Sequence, residues 1–138
     1  MNKVWPFSIW LLSLQLLPSC ATQSSSLSRK ISTELETKEI VDFSSFGSFD
    51  WEKACVLPPY TNNDAAKASL GFDWNAEEIT NIHLHDSFYI LAFVKGNEVV
   101  EYVEMPRRDR ELLTLQPTCI SSSNPVITFN AENRWKTI

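Results

Sequence analysis

His83 and His85 are the only histidines of the 138-residue chain, and they offer the side chains best suited to metal or acid–base chemistry. Two residues apart on a β-strand, their rings would share one face of the sheet and could supply two metal ligands. A third ligand would have to come from elsewhere, with Asp73 as the candidate. Nothing else in the sequence demands a metal, so the alternative is a pair of half-exposed strand histidines, and we predict no cofactor.

A hydrolytic site would instead pair one of the histidines with a serine and an acid. The serines cluster near the N-terminus and at positions 121–123, where they are typical of loops, and the adjacent Glu77 and Glu78 are typical of a solvated turn. With only three glycines, the chain contains no phosphate-binding loop, dinucleotide fingerprint or nucleophile elbow. We therefore predict that the protein is not an enzyme, and a small metal-dependent or hydrolytic enzyme using His83 and His85 is the alternative.

The segment PRRDR, directly after a predicted hairpin, contains the one basic cluster of an acidic chain: Arg107, Arg108 and Arg110. Such a cluster can bind lipid phosphates, peptidoglycan or an acidic groove on a protein. The alternative is a solvated loop in which the arginines pair with Asp109 and Glu111.

Aromatic residues offer a second kind of binding surface, because Trp51, Tyr60, Trp74 and Tyr102 either anchor an interface or belong to the core. We take Tyr60 and Trp74, together with the three arginines, as candidate partner-binding residues. The net charge of -5, from 12 basic and 17 acidic side chains, argues against a nucleic-acid partner, because phosphate binding needs a positive face.

Residues 1–19 have the pattern of an export signal, with a basic start and an apolar run of 11 residues, FSIWLLSLQLL. That run is shorter than the roughly 20 residues that a membrane-spanning helix needs. The next feature, Leu17-Pro18-Ser19-Cys20, resembles the lipobox of bacterial lipoproteins, which implies that Cys20 carries a lipid and becomes the first residue. Cleavage after Ala21 is the alternative and would release a soluble protein.

If Cys20 is lipidated, two thiols remain, those of Cys55 and Cys119. Because an even number of cysteines in an exported protein is typical of disulfides, we predict a disulfide between them, with two buried free thiols as the alternative. Residues 20–39 begin with a Ser-rich stretch and are predicted to form a flexible tether that reaches roughly 25 Å. Ile31 and Leu35, four residues apart, make a short helical segment over residues 31–39 an equal alternative there. Because Ala21 rather than Asp follows the cysteine, the resemblance to Gram-negative lipoproteins implies an outer-membrane location facing the periplasm.

Residues 40–138 are predicted to form a single α+β domain, a small antiparallel sheet of about five strands with one short helix packed across it. The clearest element is a hairpin over residues 88–105 with Gly96-Asn97 as its turn, which would place Leu91 opposite Tyr102. The other predicted strands cover residues 40–43, 51–57, 79–85 and 126–129. The helix is predicted to begin near a Thr61 cap and to end at Gly71.

Five motifs in a fixed order carry a resemblance to a known family: FDWEK, PPYT, LGFDW, LAFVKGN and EYVE. They resemble a family of small exported bacterial proteins, often lipoproteins, of unassigned function. The resemblance covers about residues 43–110, half of the chain. It implies a shared fold and an envelope location, and it brings no catalytic residue.

These features lead us to expect a membrane-anchored envelope lipoprotein that acts as a protein-binding module, of the inhibitor, immunity or exclusion kind. Its expected partners are membrane lipid, through Cys20, and an envelope protein or an incoming one. A structural assembly lipoprotein of the outer membrane is a further alternative, and it would differ only in having a permanent partner.

Overall fold

The computed structural model describes the backbone of residues 22–23 and the whole of residues 25–138. The predicted signal peptide and the predicted lipidation site at Cys20 lie outside the described residues. The elements, in chain order, are β1 (Thr22–Gln23), α1 (Ser25–Thr37), β2 (Ile40–Asp42), β3 (Lys53–Leu57), α2 (Asn63–Leu70), α3 (Ala76–Thr80), β4 (Phe88–Lys95), β5 (Glu98–Pro106), β6 (Cys119–Ser121), β7 (Val126–Phe129) and β8 (Trp135–Thr137). Short 3-10 turns cover Phe43–Ser45, Ile82–Leu84 and Leu112–Thr114.

The strands form two sheets. The larger has the order β1-β5-β4-β3-β6, in which the last four strands are antiparallel and β1 joins the edge of β5 in parallel. The smaller is antiparallel with the order β2-β7-β8. The predicted α+β class is confirmed, but a single five-stranded sheet with one helix matches only roughly. The predicted strands at residues 40–43 and 126–129 belong to the second sheet, residues 79–85 form no strand, and the described residues contain three helices.

The larger sheet separates two hydrophobic layers, because successive strand residues point to opposite faces. From β4, the side chains of Leu91 and Phe93 pack in the layer that contains α1 and the smaller sheet. The side chains of Ile90 and Ala92 pack in the other layer, together with residues of α2 and α3. α1 and the α2–α3 segment therefore cover opposite faces of the same sheet.

Helix α1 occupies most of the segment that was predicted to be a tether, residues 20–39. Leu27, Ile31 and Leu35 are buried at a spacing of four residues, so they form one apolar stripe. The stripe packs beside β5, where the Ser28 hydroxyl donates a hydrogen bond to a strand carbonyl. The sequence looks like a linker because the outer face of the helix is polar, and the packing against the sheet stabilises it.

The hairpin is confirmed, with Gly96-Asn97 between β4 and β5, but its register differs beyond the second pair. A bulge adds Val100, so that Leu91 lies opposite Val103 and not opposite Tyr102. A one-residue bulge has no simple pattern in the sequence.

The predicted cap of helix α2 is wrong at its start and confirmed at its end. The side chain of Asn62, not of Thr61, accepts the hydrogen bond from the amide of Ala65, at 2.9 Å. Gly71 ends the helix in the left-handed conformation with φ 90°, which favours glycine. Cys55 and Cys119 lie opposite each other on β3 and β6 and form the predicted disulfide.

Candidate protein-binding surface

The structure places the two histidines in a short turn and not on a strand, so the predicted shared face does not form. His83 is partly buried in the 3-10 turn, and His85 is exposed beside the ring of Phe88. Asp73, the candidate third ligand, forms an ion pair with Lys67 at 3.2 Å. Among residues 22–23 and 25–138, no group of three or more His, Cys, Asp or Glu side chains could hold a metal ion.

The two adjacent glutamates have structural contacts at the start of α3. The carboxylate of Glu77 accepts the amide proton of Asn63 at 3.1 Å, and the Asn63 side chain accepts the amide proton of Glu77 at 3.1 Å. Glu78 accepts a hydrogen bond from the side chain of Asn75, which caps the helix. These contacts tie the five-residue α3 to α2 and so position the side chain of Ile79.

Two of the predicted partner-binding arginines form pairs on the surface. Arg107 makes two hydrogen bonds with the carboxylate of Glu111, at 2.8 and 3.1 Å, and this contact raises the pKa of its guanidinium. Arg108 is 61% exposed and lies 3.6 Å from a carboxylate oxygen of Glu36. Of the three arginines, Arg108 is therefore the most accessible to a partner.

The third arginine, Arg110, joins elements that are distant in the sequence. Its guanidinium donates to the carbonyls of Glu36 and Lys38, at 3.4 and 2.8 Å, where α1 ends. The same group lies 4.1 Å from the ring centre of Phe129 on β7. The indole of the fully buried Trp135 donates to the backbone carbonyl of Arg110 at 2.9 Å. These contacts give Arg110 a structural role, whatever else it binds.

Tyr60 presents its ring to solvent on a strained backbone. Its side chain is 61% exposed. Its φ of 64° is unusual for a bulky residue. The conformation is held by its amide, which donates to the carbonyls of Ile82 and His85 at 3.0 and 3.2 Å. Strain of this kind persists only where the surrounding structure imposes it, and it is frequent at binding sites.

Trp74 lines an apolar groove beside α3. Its ring is half-buried and lies 5.8 Å from the ring of the buried Tyr102. The groove has a volume of about 360 Å³ and is lined by Phe72, Asp73, Trp74, Ile79, Glu98 and Val99. Trp51, in contrast, is buried against Phe93 and belongs to the core.

We define the apolar surface as Tyr60, Phe72, Trp74, Ile79 and Leu84. Tyr60, Ile79 and Leu84 are exposed by 61%, 45% and 66%. All five belong to the segment between β3 and β4, which covers the face of the sheet opposite α1. Phe72, Trp74 and Ile79 share the groove, and the backbone of Tyr60 is hydrogen-bonded to the turn that contains Leu84. Exposed aliphatic and aromatic side chains of this kind are frequent in protein-binding sites.

Tyr60 and Trp74, the candidate binding residues predicted from the sequence, both belong to the apolar surface, and their role in binding stays a prediction. Phe72, Ile79 and Leu84 were not predicted as candidates. The strand predicted over residues 79–85 concealed Ile79 and Leu84, and a helix-cap signature at Asn75 was the signal that could have shown otherwise.

Comparisons with protein-family models, with curated proteins and with solved structures return no match to this chain. The resemblance of residues 43–110 to small exported lipoproteins thus stays a prediction. Within the part of the chain that the structure describes, no helix is long and apolar enough to cross a membrane.

Proposed function

We propose that this protein is a lipid-anchored protein of the bacterial envelope that binds another protein through the apolar surface. The observation that carries the proposal is the exposure of Tyr60, Ile79 and Leu84 on one segment of an otherwise well-packed domain. Burying such side chains against a partner removes apolar area from water, which is the main source of free energy in most protein association.

The scaffold suits this role because it holds the surface in one conformation. The amide of Tyr60 is hydrogen-bonded to the following turn, and the disulfide between Cys55 and Cys119 joins the two strands beneath α2. A preorganised surface loses less conformational entropy on binding than a flexible one does.

The groove on the apolar surface also favours a kind of partner. Its polar lining includes the carboxylates of Asp73 and Glu98, and Asp73 is 88% exposed. A partner that offers apolar side chains with basic residues at the rim would match both the groove and its charge. An envelope enzyme, a toxin from a competitor or a phage receptor with such a patch fits the proposal.

The envelope location rests on two features. Leu17-Pro18-Ser19-Cys20 has the lipobox pattern, and a disulfide within the domain suits an oxidising compartment such as the periplasm. Ala21 after the cysteine favours the outer membrane. A structural assembly lipoprotein would share all these features and differ only in the permanence of its partner.

Cross-linking in intact cells followed by affinity capture tests the proposed binding. The full chain, with a C-terminal tag, is expressed in its host and captured, and bound proteins are identified by mass spectrometry. We expect one envelope protein at near-equal stoichiometry, with at least about tenfold less of it on the Leu84→Ala variant, the loss typical of an anchor residue in an interface.

Ile138 provides a matched control, because Leu84 and Ile138 are both 66% exposed and only Leu84 belongs to the apolar surface. Ile138→Ala should capture the partner as the unchanged protein does. The proposal is wrong if no envelope protein is captured, or if Leu84→Ala and Ile138→Ala lower capture equally. The intact mass of the captured chain tests the lipid at Cys20 separately.

A further inference from the structure

Little chain separates the proposed lipid anchor from the folded domain. Helix α1 begins at Ser25, and Thr22–Gln23 already lies beside β5, in register with Glu101 and Tyr102. The five residue steps from Cys20 to Ser25 span at most about 17 Å when fully extended. A lipid at Cys20 would therefore hold the α1 side of the domain against the membrane, in place of the long tether that the sequence suggested.

A surface at the start of α1 contains exposed cations and several hydroxyl groups. A groove of about 460 Å³ between α1 and the ends of β4 and β5 is lined by Ser25, Ser28, Arg29, Ser32, Glu104 and Arg108. Arg29 and Lys30 are exposed, and neither forms an ion pair with a described residue. The hydroxyl of Ser32 is buried and has no hydrogen-bond partner among the described residues.

The charges elsewhere differ from this surface. Without residues 1–19, which include Lys3, the chain has 11 basic and 17 acidic side chains. This net negative charge means that an anionic bilayer repels the domain as a whole. The exposed cations of Lys67 and Lys95 pair with Asp73 and Asp50, and the exposed Arg134 and Lys136 lie in and next to the β7–β8 turn.

At the proposed surface, Arg29 has no ion pair among the described residues, Lys30 contacts the carbonyl of Ser45 and the ring of Phe46, and the pair of Arg108 with Glu36 is 3.6 Å long. These exposed cations can attract anionic headgroups.

We infer that the surface formed by Arg29, Lys30 and Arg108 docks on the anionic lipid headgroups of the membrane. The inference rests on the proposed lipidation of Cys20. The phosphates accept hydrogen bonds from the guanidinium groups and from the hydroxyl of Ser32, which has no partner among the described residues. Since α1 and the α2–α3 segment cover opposite faces of the sheet, the docked domain presents the apolar surface away from the membrane.

Amine labelling of the reconstituted lipoprotein tests the docking. The full chain is expressed with its signal peptide, purified from membranes in detergent, checked by intact mass and inserted into vesicles of phosphatidylethanolamine and phosphatidylglycerol. A membrane-impermeant acylating reagent then reports the accessibility of Lys30, on the α1 side, against Lys67, on α2. On vesicles, relative to detergent, we expect labelling of Lys30 to fall by about threefold or more and labelling of Lys67 to stay unchanged.

Charge-neutralising variants separate docking from simple tethering. The double variant Arg29→Gln/Arg108→Gln should restore labelling of Lys30, and Arg134→Gln, which removes an exposed cation from the β7–β8 turn, should not. Two results would overturn the docking inference alone. In the first, vesicles lower the labelling of Lys30 on a lipidated chain no more than that of Lys67. In the second, the fall in Lys30 labelling on vesicles persists in the double variant. A mature chain without lipid would overturn the docking inference together with the proposed anchor, and none of these results would affect the partner-capture test.

Discussion

Replacing Arg110 with alanine tests whether this arginine is a structural link and not one of three similar surface charges. Its guanidinium holds the end of α1 through the carbonyls of Glu36 and Lys38, and it stacks on Phe129 of the smaller sheet. A backbone hydrogen bond from the amide of Phe129 to the carbonyl of Glu39, at 2.8 Å, also joins the smaller sheet to the chain just after α1. Removal of the Arg110 side chain should loosen the contact between the helix and the smaller sheet.

The expected loss of stability follows from three contacts. The hydrogen bond to Lys38 is 2.8 Å long and involves a charged donor, which contributes about 1 to 1.5 kcal/mol. The bond to Glu36, at 3.4 Å, adds little. The guanidinium lies 4.1 Å from the ring centre of Phe129, a cation–π contact that contributes about 0.5 to 1 kcal/mol. We expect Arg110→Ala to lower the free energy of unfolding by about 2 kcal/mol.

Urea unfolding followed by tryptophan fluorescence measures this loss. With a urea dependence of about 2 kcal/mol per molar, the midpoint should fall by about 1 M. Arg108→Ala is the matched control, because Arg108 is 61% exposed and its ion pair with Glu36, the one it forms among the described residues, is 3.6 Å long. We expect its cost to stay below about 0.5 kcal/mol. If both alanine variants lose the same small amount, the structural role of Arg110 is refuted.

Three further predictions concern stability. Tyr60 has a φ of 64°, so the Tyr60→Gly variant should be more stable than Tyr60→Ala by about 1 kcal/mol in urea unfolding, because both lose the ring and only glycine avoids the strain. An alanine variant of equal or higher stability would contradict this backbone conformation. Replacing both Cys55 and Cys119 with alanine opens a loop with a sequence separation of 64. If the disulfide stabilises the fold by restricting the unfolded chain, the free energy of unfolding should fall by about 4 kcal/mol, measured by thermal unfolding. A loss below about 1 kcal/mol would refute this explanation. Burial raises the pKa of Tyr89 above its ordinary value of 10.0, so the folded protein keeps a proton that the unfolded chain releases, and stability should fall as the pH rises above about 10. The Tyr89→Phe variant should lose less stability above this pH than the wild-type protein does. Equal pH dependence of stability in the two proteins would refute the role of Tyr89.

Much of the fold could be predicted from the sequence because its signals act between near neighbours. The hairpin turn Gly96-Asn97 and the helix end at Gly71 depend on backbone conformations that glycine adopts easily. The pairing of Cys55 and Cys119 followed from counting thiols in a chain that was predicted to be exported.

Only part of the candidate site could be predicted from the sequence. Tyr60 and Trp74 were named because aromatic residues are frequent in interfaces, and that argument applied equally to Trp51, which is buried. Ile79 and Leu84 were missed because a segment of seven residues with three apolar ones among polar ones, ITNIHLH over residues 79–85, is compatible with a strand and with a helix followed by a turn. Their exposure depends on the contacts between α2 and α3.

By itself, the sequence determined the α+β class, the hairpin, the helix end at Gly71 and the cysteine pair, because each depends on residues that are adjacent or on simple counting. Only the tertiary structure decided that α1 belongs to the domain, that Arg110 is a structural link and that Tyr60 faces solvent. The physical reason is the same in each case: burial and pairing are set by neighbours far along the chain, as with Arg110 and the carbonyl of Glu36, which are 74 residues apart.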